Sequence, residues 1–140
     1  MEVNALVKFL FDLGKTQSIL TRRFDSGLNG LGFSEFMILY SLSLVEDQKM
    51  RRIDLADKVG LTASGVTRLL APMEKIGLVK REANTEDARV SYVMLAKGGK
   101  QKLSESLERA ELLAEEIIPS GNTKKIKEFS ELLNEMRKNV

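Results

Sequence analysis

The chain contains neither cysteine nor histidine. Without cysteine there is no disulfide framework, thiol redox sensor or thiolate metal site. Without histidine the commonest metal ligand and the commonest general base are missing. Carboxylates alone could hold Mg²⁺ or Ca²⁺, but neither a D-x-[DN]-x-[DN]-G loop nor a P-loop occurs. No metal or cofactor is expected. An enzyme would have to work with carboxylates, a lysine or an activated serine. The densest acidic run, Glu105, Glu108, Glu111, Glu115 and Glu116, has the spacing of a solvated helix face. No enzyme is expected. No apolar run approaches the roughly 18 residues of a membrane span. Met1–Lys8 lacks a basic segment leading into a long apolar stretch, so no signal peptide is expected and the predicted location is cytoplasmic. Two prolines and ten glycines are too few for a low-complexity chain.

What is present is a chain of 140 residues, one domain's worth and long enough to bury a core unaided. Its net charge of +2 is unevenly spread. Residues 1–48 carry 4 Lys/Arg against 6 Asp/Glu, residues 49–102 carry 12 against 6, and residues 103–140 carry 6 against 8. The middle third is therefore at +6 between two flanks at −2 each. That is the distribution of a phosphate-facing module between segments that touch no phosphate, or of an uneven solvated surface.

Helical periodicity runs from Val3 to about Phe24, with Leu6, Leu10, Leu13, Leu20 and Phe24 as the stripe. A glycine-rich loop, 25–32, follows, then Ser34 as the expected N-cap of a helix to Val45 with Phe36, Met37, Tyr40 and Leu44 as its apolar face. A polar stretch, Glu46–Met50, separates this from a short helix, Arg52–Val59. Gly60 ends that helix and Thr62 caps the next, which carries Val66, Leu69, Leu70, Met73 and Ile76 on one side. Two short helices about a glycine turn are a helix-turn-helix. Pro72 lies inside the second helix, where it either kinks the helix or ends it near Leu70; the continuing apolar spacing favours a kink. Leu78–Glu82 and Val90–Leu95 alternate as strands about the polar tip 83–89, which makes a wing. A long helix, Lys97–Ile118, is broken by Pro119-Ser120-Gly121-Asn122, and a last helix runs from Thr123 to about Asn139.

The run Leu61-Thr62-Ala63-Ser64-Gly65-Val66-Thr67-Arg68-Leu69-Leu70, followed by Met73-Glu74-Lys75-Ile76-Gly77-Leu78-Val79-Lys80-Arg81, resembles the MarR family of winged helix-turn-helix regulators. So do Asp87-Ala88-Arg89 in the wing and Val93-Met94-Leu95 after it. The resemblance covers nearly the whole chain, most densely residues 53–100. It implies a mainly α fold, an α+β winged helix in which one MarR-like domain, 1–140, has a DNA-binding core at 33–102 with a two-stranded β wing. The segments 1–32 and 103–140 would be dimerisation helices. It further implies a homodimer on a pseudo-palindromic operator, commonly a repressor released by a small aromatic ligand, with Phe36 and Tyr40 as candidate contacts. The alternative for Tyr40 is a core residue with a satisfied hydroxyl. Two positions depart from the family pattern: Ala96 replaces the usual threonine cap, and Arg89 is the sole basic residue where two arginines are common. The oxidation-sensing branch is excluded for want of a cysteine.

The residues suit that implication. A helix entering the major groove needs small or polar side chains on its first turns, as Ser64, Gly65 and Thr67 provide. Gly65 would permit close approach to DNA or relieve packing against the preceding helix. Arg68 would bond a guanine or a phosphate, or pair with an acid inside the fold. Thr62 caps a helix whose free N–H groups could also hold a phosphate. Arg89 suits the minor groove, and Asp87 would orient it by a charge-assisted bond or simply form a turn. Arg51, Arg52, Lys80 and Arg81 are phosphate neighbours or solvated cations. The competing function is a winged-helix module for protein–protein contact, which would need no basic middle third.

Overall fold

A computed structural model describes residues 1–119 and 121–140. The elements in chain order are α1 (Ala5–Gly27), α2 (Phe33–Ser43), a 3-10 turn (Glu46–Gln48), β1 (Lys49–Arg51), α3 (Arg52–Val59), α4 (Ala63–Lys75), β2 (Val79–Ala83), β3 (Ser91–Leu95), α5 (Lys97–Ile117) and α6 (Thr123–Lys138). This is the expected mainly α winged helix. The chain forms two compact units, Met1–Ala110 and Glu111–Val140. Among the described residues no helix is long and apolar enough to cross a membrane. The predicted break after α5 includes Ser120, which lies outside the described residues.

In the first unit, Asn4 caps α1 by accepting the Val7 N–H at 2.9 Å. The helix runs three residues past Phe24, into the expected loop. The turn that follows reverses the chain through Asn29 and Gly30, both at positive φ. Ser34 is not the cap of α2. The helix starts at Phe33, because Glu35 reaches back to the Gly32 N–H (3.2 Å) and Asp25 takes the Phe33 N–H (2.7 Å). The buried face of α2 also differs from the expected one. Ile38, Leu39 and Leu42 are fully buried, whereas Tyr40 is 46% and Leu44 60% exposed. The helix is apolar nearly all round, so periodicity does not select the face that meets the core.

The core beneath the helix-turn-helix joins those three residues to Leu55 of α3, Val66, Leu70 and Met73 of α4, and Val93 and Leu95 of β3. Truncating one such leucine to alanine costs about 2–5 kcal/mol. Ile76, expected in this stripe, is 69% exposed because α4 ends at Lys75 and Ile76 is already its C-cap. The helix continues past Pro72 rather than ending at Leu70. Proline removes a bond to the Arg68 carbonyl, but both residues are exposed, so water can take the freed acceptor.

The wing is joined by a strand that the sequence does not announce. β1 pairs antiparallel with β3 (Lys49 opposite Met94, Arg51 opposite Tyr92), and β3 pairs with β2 (Val79 opposite Leu95, Ala83 opposite Ser91), giving the order β1-β3-β2. The expected two-stranded wing is thus part of a three-stranded sheet. Part of the supposed polar separator, Lys49–Met50, is strand because β3 offers it an open edge. α5 begins against this sheet. The Ala96 N–H donates to the Leu78 carbonyl at 3.1 Å. A Cβ at Gly99 would collide with that same carbonyl oxygen, and one at Gly98 would lie 2.7 Å from the Gly77 carbonyl oxygen. In the second unit α6 is capped by Asn122, which accepts from the Lys125 N–H, and buries none of its residues.

Candidate nucleic-acid interface

Gly60 sits in the left-handed region (φ 71°) and closes α3, with its N–H returned to the last turn. That tight reversal presents the N-terminus of α4. Thr62 caps it, accepting the Gly65 N–H at 3.0 Å, and lies 3.3 Å from the Ser64 hydroxyl. A Cβ at Gly65 would meet the Thr62 Oγ1 at 3.0 Å and, among the described residues outside its own helix backbone, nothing else within 4 Å. Relief of packing against α3 therefore does not account for this glycine. It leaves room beside the cap on the exposed side of the helix.

The first turns of α4 are open to solvent at Thr62, Ser64, Thr67 and Arg68. No ion pair or hydrogen bond engages the Arg68 side chain among the described residues, so the internal-acid alternative is not realised. Arg52, at the start of α3, is half-buried, and its Nη1 donates to the Thr67 Oγ1 at 3.2 Å. Arg51 pairs with Asp54 at 3.1 Å, which raises its pKa through that hydrogen bond and the charge beside it. Arg81 pairs with Glu74 at 3.6 Å, and Lys80 on β2 is exposed.

The wing tip is built by a residue that sequence reading passed over. The Asn84 Oδ1 accepts from the backbone N–H of Glu86 (2.8 Å) and of Asp87 (3.2 Å), while its Nδ2 donates to the Tyr92 hydroxyl (3.2 Å). Asn84 before a polar loop is a turn signal that could have been read; the bond to Tyr92 needed the β2–β3 register. Lys49 stands 5.0 Å from the Tyr92 ring centre and pairs with Glu82 at 3.2 Å. Asp87 accepts from the Arg89 Nε (3.1 Å) and Nη2 (3.3 Å) and from its backbone N–H (3.0 Å). Those bonds hold the Asp87 carboxyl below its ordinary value of 3.8, the side-chain bond first and the backbone bond second. The Arg89 side chain is nonetheless 90% exposed.

The structure thus brings Thr62, Ser64, Gly65, Thr67, Arg68 and Arg52 together on the helix-turn-helix. Lys80, Asp87 and Arg89 stand apart on the wing. Phe36 lies elsewhere, in a tilted cluster with Phe33 (6.5 Å) and, through it, Phe24 (4.8 Å). The exposure of Tyr40 corrects its reading as a core residue.

Comparison with known proteins gives a shared fold and, over part of the chain, a family match. The model of the MarR family matches residues 33–91. YdgJ, an HTH-type transcriptional regulator of Bacillus subtilis (strain 168), is 24% identical over 133 residues, 95% of this chain and 79% of YdgJ. YetL, an HTH-type transcriptional repressor of the same organism, is 31% identical over 98 residues, which are 70% of this chain but only 58% of YetL. Sco3205, a MarR family transcriptional regulator from Streptomyces coelicolor solved in complex with DNA, superposes with a TM-score of 0.86 at 18% identity. That superposition covers 99% of this chain and 91% of Sco3205, and the likeness is one of fold.

Proposed function

We propose that the chain is a transcriptional regulator of the MarR family, whose model matches residues 33–91, and that it binds a pseudo-palindromic operator as a cytoplasmic homodimer and acts as a repressor. The observation that carries this reading is the exposed, unpaired Arg68 on the first turns of α4, flanked by the small residues Ser64 and Gly65. In the major groove such an arginine can bond a guanine through two donors. Arg89, held out on the wing, would enter the minor groove, and Arg52, Lys80 and the cap at Thr62 would meet phosphates. Two-fold symmetry would set the two α4 helices about 34 Å apart. The segments 1–32 and 103–140 would form the dimer and 33–102 the DNA-binding core. A small aromatic acid bound near Phe36 and Tyr40 would release DNA by favouring a dimer with wrongly spaced α4 helices.

The test is fluorescence anisotropy of the purified protein on its own upstream DNA, at two salt concentrations and against a scrambled competitor. Selective binding that weakens with salt is expected, with Arg68→Ala losing about 1–3 kcal/mol of discrimination. Arg89→Ala should weaken binding as well, and added benzoate should lower the affinity. Binding that ignores sequence would remove the operator from the proposal. Absence of binding at any salt would favour the protein-interaction module instead.

A further inference from the structure

Beside the exposed face of α4 lies an open groove of about 360 Å³ lined by Arg52, Thr67, Ala71, Glu74, Lys75 and Arg81. Three cations and one carboxylate border it, and the carboxylate is engaged by Arg81 at 3.6 Å. The local balance is therefore positive, and the small side chain of Ala71 leaves space between the charged groups. Arg52 does not sweep this groove freely. Its Nη1 is tied to the Thr67 Oγ1 at 3.2 Å, a bond from the first residue of α3 to the second turn of α4. A guanidinium has five N–H donors in a fixed fork, so one bond to threonine leaves the others to face an anion.

We propose that this groove seats one backbone phosphate of duplex DNA, that Arg52 is the cation contacting it, and that Thr67 is a positioning residue which aims Arg52 rather than a reader of bases. The inference rests on the DNA-binding reading above and narrows it, because Thr67 then acts identically on every sequence. Holding Arg52 before the phosphate arrives removes part of the ordering cost of binding. Phosphate contacts fix register and carry no sequence information, so the effect is visible on any duplex.

The experiment uses a labelled 30-base-pair duplex of random sequence titrated with wild type, Arg52→Ala, Thr67→Val, Thr67→Ser and the double variant Arg52→Ala/Thr67→Val over a series of salt concentrations. Thermal midpoints confirm that each variant is folded. Arg52→Ala is expected to flatten the plot of log affinity against log salt by about 0.9, one phosphate's worth. Thr67→Val should weaken binding about threefold to tenfold, the range of one hydrogen bond, and Thr67→Ser should restore it. In the double variant the valine should add nothing to the loss caused by Arg52→Ala. Wild-type affinity in Thr67→Val, or a full additional loss in the double variant, would overturn the positioning role. An unchanged salt slope in Arg52→Ala would overturn the phosphate seat while leaving DNA binding intact. Failure of the wild type to bind the duplex at any salt would overturn the parent reading and this one together. If Thr67→Val does not fold, the serine variant decides through its salt slope, which must match the wild type.

Discussion

Asp87 accepts three hydrogen bonds from Arg89, two from the guanidinium and one from the backbone, and each favours the charged carboxylate. Its pKa in the folded chain is thus below the ordinary 3.8. A carboxyl with a depressed folded pKa contributes fully above its unfolded value and loses that contribution as the pH falls through the folded one. The wing-tip pair should therefore be unchanged across neutral and mildly acidic pH and should open only below 3.8. Carbon-13 NMR of the Asp87 carboxyl should show a midpoint under that value, returning toward it in Arg89→Ala; a midpoint above 3.8 in the wild type would contradict the pairing. At this scale the sequence is informative wherever a residue acts on its chain neighbours, as Thr62, Gly60 and Asp87 do. It is silent on Arg52 with Thr67, fifteen positions apart, and on Asn84 with Tyr92, because those bonds exist only once two elements are laid side by side.

The junction of α4, the wing and α5 is a matter of elements. At Gly99 the first turn of α5 lies directly on the Leu78 carbonyl, and the Leu95 Cδ1 would be 2.9 Å from an added Cβ. The obstruction is backbone, which cannot rotate out of the way. Gly99→Ala is expected to destabilise the fold by about 1–3 kcal/mol through overpacking, read as a lower urea midpoint at unchanged slope. Gly121→Ala, where an added Cβ meets nothing within 4 Å among the described residues, is the matched control and should shift stability by less than about 0.5 kcal/mol. Equal midpoints for the two variants would show that the junction yields. The helices of this region were legible from period, caps and breakers. β1 was not, because three residues, Lys-Met-Arg, are too few for their alternation to mark a strand. Nor was the buried face of α2, where apolar side chains surround the axis.

For the molecule as a whole the open question of the sequence was what its outer helices cover. The stripe on α1 was readable, yet Leu6 remains 76% and Leu10 52% exposed in a single chain. On α6, Ile126 and Leu132 are each 41% exposed. Periodicity identifies an apolar face without saying whether the chain's own core or a second copy meets it. A 16-residue amphipathic helix with no buried residue is marginal in water by itself. The homodimer proposed above would supply the missing cover. Analytical ultracentrifugation should give twice 15.7 kDa at micromolar concentration, and Leu10→Glu with Ile126→Glu should shift the species toward 15.7 kDa and weaken operator binding. A wild type that sediments at 15.7 kDa throughout would refute the dimer.

The bare contact of Gly98 and Gly99 with the carbonyls of Gly77 and Leu78 also gives the molecule a mechanical character. Side chains between two helices act as springs, since a rotamer change absorbs a small displacement. At Gly98 and Gly99 backbone faces backbone, with only the Leu95 side chain beside Gly99, so rotamer changes can absorb little displacement. A tilt at the start of α5 would therefore press directly on the backbone of Gly77 and Leu78, where the chain passes from α4 into the wing.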